Sequence, residues 1–444
     1  MDKTIKIITT NYEKQELWQE REATAEEVGC MHLIKPYPEV ERQTMKGFGG
    51  AFTEAAGYCY EKLSAEAKKE FIKAYFSPEG LRYNVGRTHI NSCDFALENY
   101  AAVEDEADTE FKTFDLSRAN RYVLPLILDA QKEARDGIPF LVSPWSPPAF
   151  MKTNGEMNNG GKLKEEYYGA WAAYIAKYIQ ELQNAGLDIR YMTVQNEPDA
   201  VQTWDSCIYT AKEEVTFAKD YLANALKEAG LDHIGIMVWD HNKEVVYERA
   251  GEILDTEGAS ECISGIAVHW YMGDHFEGLR MVKEKYPDKD IFFTEGCVEY
   301  SRFGDFNEVK KAEMYAHDML GNFKNGVGAF YDWNLLLDAK GGPNHVGNFC
   351  DAPIMSNETG ESFEKRLSYY YIGHFSRYIK NGAKAIALTS YNELLEAVAF
   401  TNPDGERVIV ILNRQDQEMP AAIGENGCGC NVMVPGHSIM TICY

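Results

Sequence analysis

The sequence has little basic charge compared with its acidic charge. Lysine and arginine together number 44, against 69 aspartates and glutamates, and the formal net charge is −25 at pH 7. A surface field of this sign repels phosphate backbones and anionic lipid headgroups, so we expect neither nucleic acid nor a membrane as a partner. A neutral substrate such as a sugar meets little electrostatic penalty.

Long apolar runs and clustered cysteines are also missing. No run approaches the length of a bilayer span, and the N-terminal stretch MDKTIKIITTNYEKQELWQE alternates apolar with polar residues, unlike a secretory signal. The ten cysteines are scattered except for Cys428 and Cys430, which fits neither a disulfide framework nor a paired zinc spacing. These features predict reduced thiols and a cytoplasmic protein.

Two motifs that would point to other chemistry are absent. The segment GFGGAF lacks the G-x-G-x-x-G spacing of a nucleotide-binding turn, which an open doubly wound sheet would normally carry after its first strand. No H-E-x-x-H and no close cysteine pair offers a convincing metal site, so no metal is predicted.

What the sequence does contain is a series of short apolar segments separated by helical patterns. Two intervals show helical periodicity, one before Gly186 and one before Gly230, where glycine permits a left-handed cap. Strands that alternate with helices pair in parallel, and eight such units predict a closed (β/α)8 TIM barrel of the α/β class. The eight segments are TMKGFGGAF, LRYNVGRTHI, PFLVSPW, YMTVQNE, IGIMVWD, ISGIAVHW, DIFFTE and GVGAFYDWN.

Both ends of the chain have a different pattern, of short β-type segments. TIKIITT lies near the start, and KAIALTS, LEAVAFT, RVIVILN and NVMVPGHSIMTICY lie near the end, with NPDGE as a hairpin turn. We therefore expect a small antiparallel β-sandwich side domain formed by both termini, residues 1–43 and 381–444, packed on a catalytic barrel of residues 44–380.

Two glutamates close predicted barrel strands. Glu197 ends the fourth strand and Glu295 the seventh, and side chains at the carboxyl ends of barrel strands share one pocket. Two carboxylates across a pocket are what glycoside hydrolysis requires, one as acid and one as attacking anion. A single glutamate is more often a surface residue, and the same pair could also bind a metal or abstract a proton.

The other strand ends offer flat rings and polar side chains, which together suit a pyranose. Any one of the rings is more often core packing, and a lone histidine such as His269 is more often structural. Arg87 could hold a carboxylate ionised or form an ordinary ion pair. The rings are Trp145, Trp204, Trp239, Trp270, Tyr271, Tyr331 and Trp333, and the polar side chains are Asp94, Asn196 and Asn334.

Several longer motifs carry a family resemblance. KGFGGAFTEAA, NSCDF, SPWSPPAFMKTNG, TVQNEP, AVHWY, FFTEGC, DWNLLLDAKGGPNHVGNF and YYYIGHFSRYI follow one another in this order. Together, from about residue 45 to 380, they resemble glycoside hydrolase family 30, which includes glucosylceramidase. The resemblance implies a retaining β-glycosidase with no metal or organic cofactor.

The resemblance also implies roles for individual residues. Glu197 matches the general acid/base and Glu295 the nucleophile, and retention requires their carboxyl groups to lie about 5 to 5.5 Å apart. Asn196 matches the donor to the sugar 2-hydroxyl, and Tyr271 matches the residue that orients the nucleophile. The remaining matches to the sugar subsite are Asp94, Trp145, Trp333, Arg87, His269 and Asn348.

Substrate identity is less constrained. The SCDF, KTNG and DWNLLLD segments favour a β-glucosidase of the glucosylceramidase type, acting on small β-glucosides or short oligosaccharides. The alternatives are a β-1,6-glucanase, xylanase, β-xylosidase or β-fucosidase, and a non-catalytic carbohydrate-binding protein, which would normally have lost one of the two glutamates or Asn196. Transfer of the sugar to another hydroxyl instead of water stays open. The predicted strand ends are poor in Lys and Arg, which disfavours a hydrolase of phosphorylated sugars. The oligomeric state is unknown. Phe150 stands where the family commonly has tryptophan, which suggests an altered pocket wall.

Overall fold

The computed structural model describes residues 4–134, 136–425 and 427–444. In chain order its strands are β1 (Thr4–Asn11), β2 (Glu16–Thr24), β3 (Glu26–Glu27), β4 (Leu33–Thr44), β5 (Gly47–Ala51), β6 (Val85–Ile90), β7 (Pro139–Pro144), β8 (Asp188–Thr193), β9 (Gly235–Asn242), β10 (Ile263–His269), β11 (Asp290–Glu295), β12 (Ala329–Asn334), β13 (Ile354–Ser356), β14 (Phe363–Lys365), β15 (Lys384–Ser390), β16 (Leu395–Thr401), β17 (Arg407–Asn413), β18 (Met419–Glu425), β19 (Cys428–Val434) and β20 (Ser438–Cys443).

The helices lie mostly between the strands β5 and β15. They are α1 (Glu54–Lys62), α2 (Ala65–Phe76), α3 (Leu124–Glu133), α4 (Tyr168–Asn184), α5 (Ala211–Thr216), α6 (Ala223–Glu228), α7 (Val246–Leu254), α8 (Ala259–Cys262), α9 (Phe276–Lys285), α10 (Tyr300–Phe303), α11 (Glu308–Lys324) and α12 (Leu367–Ser376). Short 3₁₀ turns cover Ala149–Met151, Glu165–Tyr167 and Lys243–Val245, and π-helical turns cover Ala119–Val123 and Phe217–Leu222.

Strands β5 to β12 close into a barrel in which every neighbouring pair is parallel, as β12 pairs with β5. All eight predicted segments therefore supply one barrel strand each, and the (β/α)8 prediction is confirmed. Close packing between β5 and β6 requires a glycine at position 49, because a Cβ on Gly49 would lie 1.9 Å from the backbone oxygen of Val85. A parallel barrel brings all its strand carboxyl ends to one face.

The two predicted helices are present and end where the glycines indicated. Helix α4 buries Trp171, Ile175 and Leu182 on one face. Gly186 follows it with φ of 102°, and Gly230 follows α6 with φ of 73°, both in the left-handed region that glycine tolerates best. The second helix is not uniform, since a π-helical turn joins α5 to α6.

The side domain is a ten-stranded sheet with strand order β2-β1-β20-β17-β16-β15-β4-β18-β19-β3. Both termini contribute strands, as predicted, and the NPDGE turn joins β16 to β17 through the bond from Asn402 N to Glu406 O. The sheet folds over its own core, which contains Ile7 of β1 together with Ile34 of β4 and Ile423 of β18.

The outer face of this sheet packs on the barrel helices α11 and α12. Phe400 of β16 lies beside Phe323 of α11, with ring centroids 5.9 Å apart. His374 of α12 is buried between Thr10 and Thr441, within 2.8 Å of each hydroxyl oxygen. Among the helices of the described residues, none has both the length and the apolar character needed to cross a bilayer.

Candidate active site

The segment after β8 forms the rim of a pocket at the carboxyl ends of the barrel strands. Asn196 N donates to Pro144 O at the end of β7, and Glu197 N donates to Asp240 O on β9, each at 2.9 Å. Glu197 has a φ of 49°, a left-handed conformation that is rare outside glycine and is concentrated at functional sites. The rim is therefore tied to both neighbouring strands.

The pocket encloses about 210 Å³. Eight of the ten predicted site residues line it, and the two others, Arg87 and His269, lie directly behind the lining. The lining residues are Asp94, Phe95, Trp145, Asn196, Glu197, Gln202, Trp204, Asn242, Tyr271, Met272, Glu295, Cys297, Glu299, Arg302, Trp333 and Asn348.

Glu295, the last residue of β11, is held at both of its carboxylate oxygens. Tyr271 donates its hydroxyl to Oε1 at 2.9 Å, and Arg87 donates Nη1 to Oε2 at 2.7 Å. Burial raises the pKa of Glu295, while the charges of His269 and Arg87 act in the opposite direction. The carboxylate is thus fixed in place by two donors that favour its ionised form.

Arg87 is fully buried and connects several groups beneath the pocket. Besides Glu295, its Nη2 donates to Oδ2 of Asp240 and to Oδ1 of Asn196, both at 2.9 Å. Because the Asn196 oxygen is occupied in this way, its amide nitrogen is left to face a ligand. Asp240 has a pKa below its usual value because the Arg87 and His269 charges outweigh its burial.

Glu197 has different partners. His269 Nδ1 lies 3.2 Å from Oε1, and Gln202 donates to Oε2 at 3.3 Å. Burial lowers the pKa of His269, but the charge of Glu295 and the bonds to Asp240 and Glu197 together raise it to about 9. Burial raises the pKa of Glu197, and the bond from His269 and the nearby His241 bring it below the usual value.

Aromatic rings form one wall of the pocket. Trp145 and Trp333 stack with centroids 5.3 Å apart and an interplanar angle of 18°, and the Arg87 guanidinium lies 4.8 Å from the Trp145 centroid. Asp94 and Asn348 add polar groups to the lining, and Asn344 joins them by donating to Asp94 at 3.2 Å and accepting from the Asn348 backbone at 3.0 Å. An apolar face beside hydrogen-bonding groups suits a sugar ring.

Other residues singled out in the sequence lie elsewhere. Trp239 and Trp270 are core residues, and Tyr331 packs inside the barrel. Asn334 accepts a hydrogen bond from Thr53 at 2.6 Å instead of facing the pocket. Phe150 is not part of the pocket wall: it packs edge-on against Tyr167, because its 3₁₀ turn places it outside the lining.

Four functional positions were not predicted from the sequence. Asp240 and His241 lie at the end of β9, where Asp240 has a φ of 45°, so a strand pattern does not show which side chains turn inward. Glu299 and Arg302 reach the pocket mouth from the loop after β11 and pair at 3.2 Å. An aspartate next to a histidine at one strand end would have been the available signal for β9.

Comparison with known proteins agrees with this geometry. The family model for the glycosyl hydrolase family 30 TIM-barrel domain matches residues 45–379, and that for the family 30 beta sandwich domain matches residues 382–442. The chain is 32% identical to the lysosomal acid glucosylceramidase of Mus musculus over 437 residues, which cover 94% of this chain and 84% of that protein.

Two further relatives extend the comparison. An endo-1,6-beta-D-glucanase of Neurospora crassa is 26% identical, with 87% of this chain and 82% of that protein covered. The crystal structure of SrfJ from Salmonella typhimurium superposes with a TM-score of 0.97 at 39% identity, covering 100% of this chain and 99% of the other. The chain therefore belongs to glycoside hydrolase family 30, and it is a glycoside hydrolase.

Proposed function

We propose that this glycoside hydrolase is an exo-acting, retaining β-glucosidase for small, polar β-glucosides. The observation that carries the proposal is the pair Glu197 and Glu295, which face one small pocket with different partners. Glu295 is held by Arg87 and Tyr271, and Glu197 contacts His269. Different surroundings for two carboxylates are the basis of separate acid and nucleophile roles.

Glu295 acts as the nucleophile. Its oxygens are fixed by donors at 2.7 and 2.9 Å, which favour the ionised form against the effect of burial and fix its orientation for attack on the anomeric carbon. Attack forms a glycosyl ester, the bond to the leaving oxygen breaks, and the aglycone departs with a proton from Glu197. Water then attacks the same carbon as Glu197 takes its proton, which restores Glu295 and retains the β configuration.

The proton for the first step is shared by Glu197 and His269. Across their 3.2 Å contact, a protonated His269 with an ionised Glu197 can convert to a neutral His269 with a protonated Glu197. Asp240 supports either state, because it lies 3.1 Å from the other ring nitrogen. Glu197 lines the pocket, so it is the member of the pair that delivers the proton to substrate.

The sugar is bound by the aromatic wall and the polar residues opposite. The stacked Trp145 and Trp333 provide a flat apolar surface, and Asn196 presents its amide nitrogen for the 2-hydroxyl. Burial and the charge of Glu295 raise the pKa of Asp94 well above its usual value, which favours the neutral acid, the form that can donate to a sugar hydroxyl.

Pocket size supports release of one sugar at a time. The volume of about 210 Å³ lies below the range of about 300 to 1,000 Å³ of drug-sized ligand sites, which fits a single sugar ring better than a chain of them. A pocket that is filled by one ring favours cleavage from the end of a substrate.

The pocket mouth supports a polar aglycone. Glu299 and Arg302 pair there at 3.2 Å, and Arg302 Nη1 also donates to Tyr271 O at 2.6 Å. An apolar chain lying across this pair would remove water from both charges without replacing its hydrogen bonds, which is costly. A second sugar or a small polar alcohol would replace those bonds.

A cytoplasmic location is part of the proposal. All ten cysteines are free, and Cys297 lies in the pocket lining with its sulfur 3.5 Å from the Tyr271 hydroxyl. Free thiols in this number are typical of reducing compartments. Fractionation of the producing cells tests this point, and recovery of the protein outside the cytoplasm would contradict it.

The roles are tested with aryl β-glucosides of good and poor leaving groups. Glu295→Gln should lose kcat by several orders of magnitude on both, because no nucleophile is left. Glu197→Gln should lose far less kcat/KM on a dinitrophenyl glucoside than on a phenyl glucoside, since kcat/KM reports the first step and a good leaving group needs no acid there. Equal losses for the two variants on both substrates would refute the assignment, with circular dichroism as the folding control.

A β-1,6-glucanase is the second candidate, because the Neurospora relative carries that activity in its name. Product length distinguishes the two activities. Glucose as the first product from a β-1,6-glucan, and turnover of p-nitrophenyl β-glucoside above the β-xyloside and β-fucoside, would support exo-glucosidase action. Oligosaccharides as first products would replace it with endo-glucanase action.

A further inference from the structure

Glu197 and His269, which share a proton in the hydrolysis described above, form a cluster with a third residue, His241, that has no role in it. Glu197, His241 and His269 place one ligand atom each within 4.8 Å of one another, and all three residues are buried. His269 Nδ1 and His241 Nδ1 lie 3.2 and 3.8 Å from Glu197 Oε1. No metal spacing in the sequence predicts this set, because its members come from β9, β10 and the segment after β8.

The histidine nitrogens are arranged as metal ligands usually are. His241 Nδ1 is buried and has no hydrogen-bond partner among the described residues, so it is free to bind a metal in the tautomer that carries the proton on Nε2. His269 turns its other nitrogen, Nε2, toward Asp240 at 3.1 Å, and a carboxylate behind a ligating histidine is the common outer contact in zinc sites.

We propose that Glu197, His241 and His269 bind a divalent zinc ion that blocks the acid/base carboxylate. Two imidazoles and a carboxylate are a known zinc ligand set with one position left open. Metal–ligand bonds of about 2.0 to 2.2 Å in a tetrahedral site put the ligand atoms about 3.4 Å apart. The distances from Glu197 Oε1 to the Nδ1 atoms of His269 and His241, 3.2 and 3.8 Å, are close to this spacing. Zinc takes the place of the proton that His269 and Glu197 share.

The consequence for the enzyme is inhibition at the acid/base step. Glu197 cannot give a proton to the leaving oxygen while its Oε1 is bound to the metal. Entry is possible from the pocket side, because Glu197 is a lining residue. Binding of zinc itself does not depend on the proposed glucosidase activity, which makes the two ideas separable.

The test is direct metal titration of the metal-free protein. Cobalt is added first, because its visible absorption reports coordination number, and zinc is then used to displace it. We expect one saturating equivalent in the wild type and an affinity lower by at least about 10-fold in His241→Gln, the loss seen when metal-site contacts are removed. His233→Gln, an exposed histidine outside the set, is the matched control and should bind as the wild type does.

Three outcomes would overturn the site. They are absence of saturable binding to the wild type, a loss of affinity in His241→Gln smaller than about 10-fold, and an anomalous zinc peak away from Glu197 in a crystal. Circular dichroism of each variant shows that a lost affinity does not reflect unfolding. Zinc inhibition of glucoside turnover is then compared with occupancy, and occupancy without inhibition would contradict the blocking of Glu197.

Discussion

Arg87 and Asp240 form a fully buried ion pair beneath the pocket, with Nη2 2.9 Å from Oδ2. The pair connects the two proposed catalytic carboxylates, because Arg87 also binds Glu295 and Asp240 contacts His269, the partner of Glu197. The charges on the two sides of the pocket are therefore electrostatically coupled through groups that lie behind the pocket lining.

Arg87→Lys should destabilise the protein by about 3 to 5 kcal/mol, because an ammonium cannot hold Asp240, Asn196 and Glu295 at once and leaves buried charge unpaired. Urea unfolding at pH 7 measures the loss. The control is Arg190→Lys, whose pair with Asp188 is exposed and should change stability by less than about 1 kcal/mol. Equal effects of the two substitutions would contradict the importance of the buried network.

Tyr271→Phe removes the hydroxyl that donates to Glu295. We expect kcat to fall about 10- to 100-fold, which corresponds to the 1.5 to 3 kcal/mol of a hydrogen bond to a charged group, with KM changed less than threefold. Tyr60→Phe removes a similar 2.9 Å bond to Asp129, away from the pocket, and should leave kcat unchanged. An unchanged kcat in Tyr271→Phe would show that the bond does not orient the nucleophile.

Asp94 tests the idea of a neutral acid in the sugar subsite. Because burial and Glu295 raise its pKa, replacement by the neutral Asn should keep kcat/KM within about 10-fold of the wild type, while Ala should lose about 100-fold or more. Steady-state kinetics on p-nitrophenyl β-glucoside measure both variants. A larger loss in Asp94→Asn than in Asp94→Ala would mean that the ionised carboxylate is required.

His317 predicts a pH dependence of stability. Burial lowers its pKa, but Asp274 at 3.0 Å and Glu396 at 2.6 Å raise it to about 9, against the repulsion of Arg414. A raised pKa means that the stabilisation is fully present below the unfolded pKa of about 6.5 and is lost as pH rises through about 9.

The measurement compares the free energy of unfolding of wild type and His317→Gln from pH 6 to 10. The wild type should be more stable by about 1 to 3 kcal/mol at pH 6, and the difference should disappear above pH 9. His233→Gln should follow the wild-type curve throughout. A difference that stays constant over this range would refute the assignment.

The sequence predicted the barrel because each strand is a short apolar run between helical patterns, and such patterns depend on local spacing. It predicted Glu197 and Glu295 for the same reason, since a strand end marks the pocket face. It did not predict the inward direction of Asp240 or His241, because that depends on a left-handed φ at Asp240. The family resemblance alone pointed to Asn348, which lies on a loop, whereas Asp94 was also among the polar side chains expected at the strand ends.

The three misplaced aromatic rings of the barrel strands have one physical cause. Trp239, Trp270 and Tyr331 lie near strand ends, but alternate positions along a strand face opposite sides, so a one-residue shift sends a ring into the core. The apolar pattern of a strand does not reveal a one-residue shift in the pairing register, such as the shifts that interrupt the pairing of β9 with β10.

The charged pair at the pocket mouth also bears on how this scaffold can change. Glu299 and Arg302 belong to a loop that follows the barrel strand, whereas Arg87 and Asp240 are buried within the strands. Substitutions in the loop can alter which leaving group is accepted while the charge network below stays intact. Substitutions in the network change several contacts together, so their effects are expected to be strongly non-additive. New substrate preferences would therefore evolve first through the loop, by single independent steps.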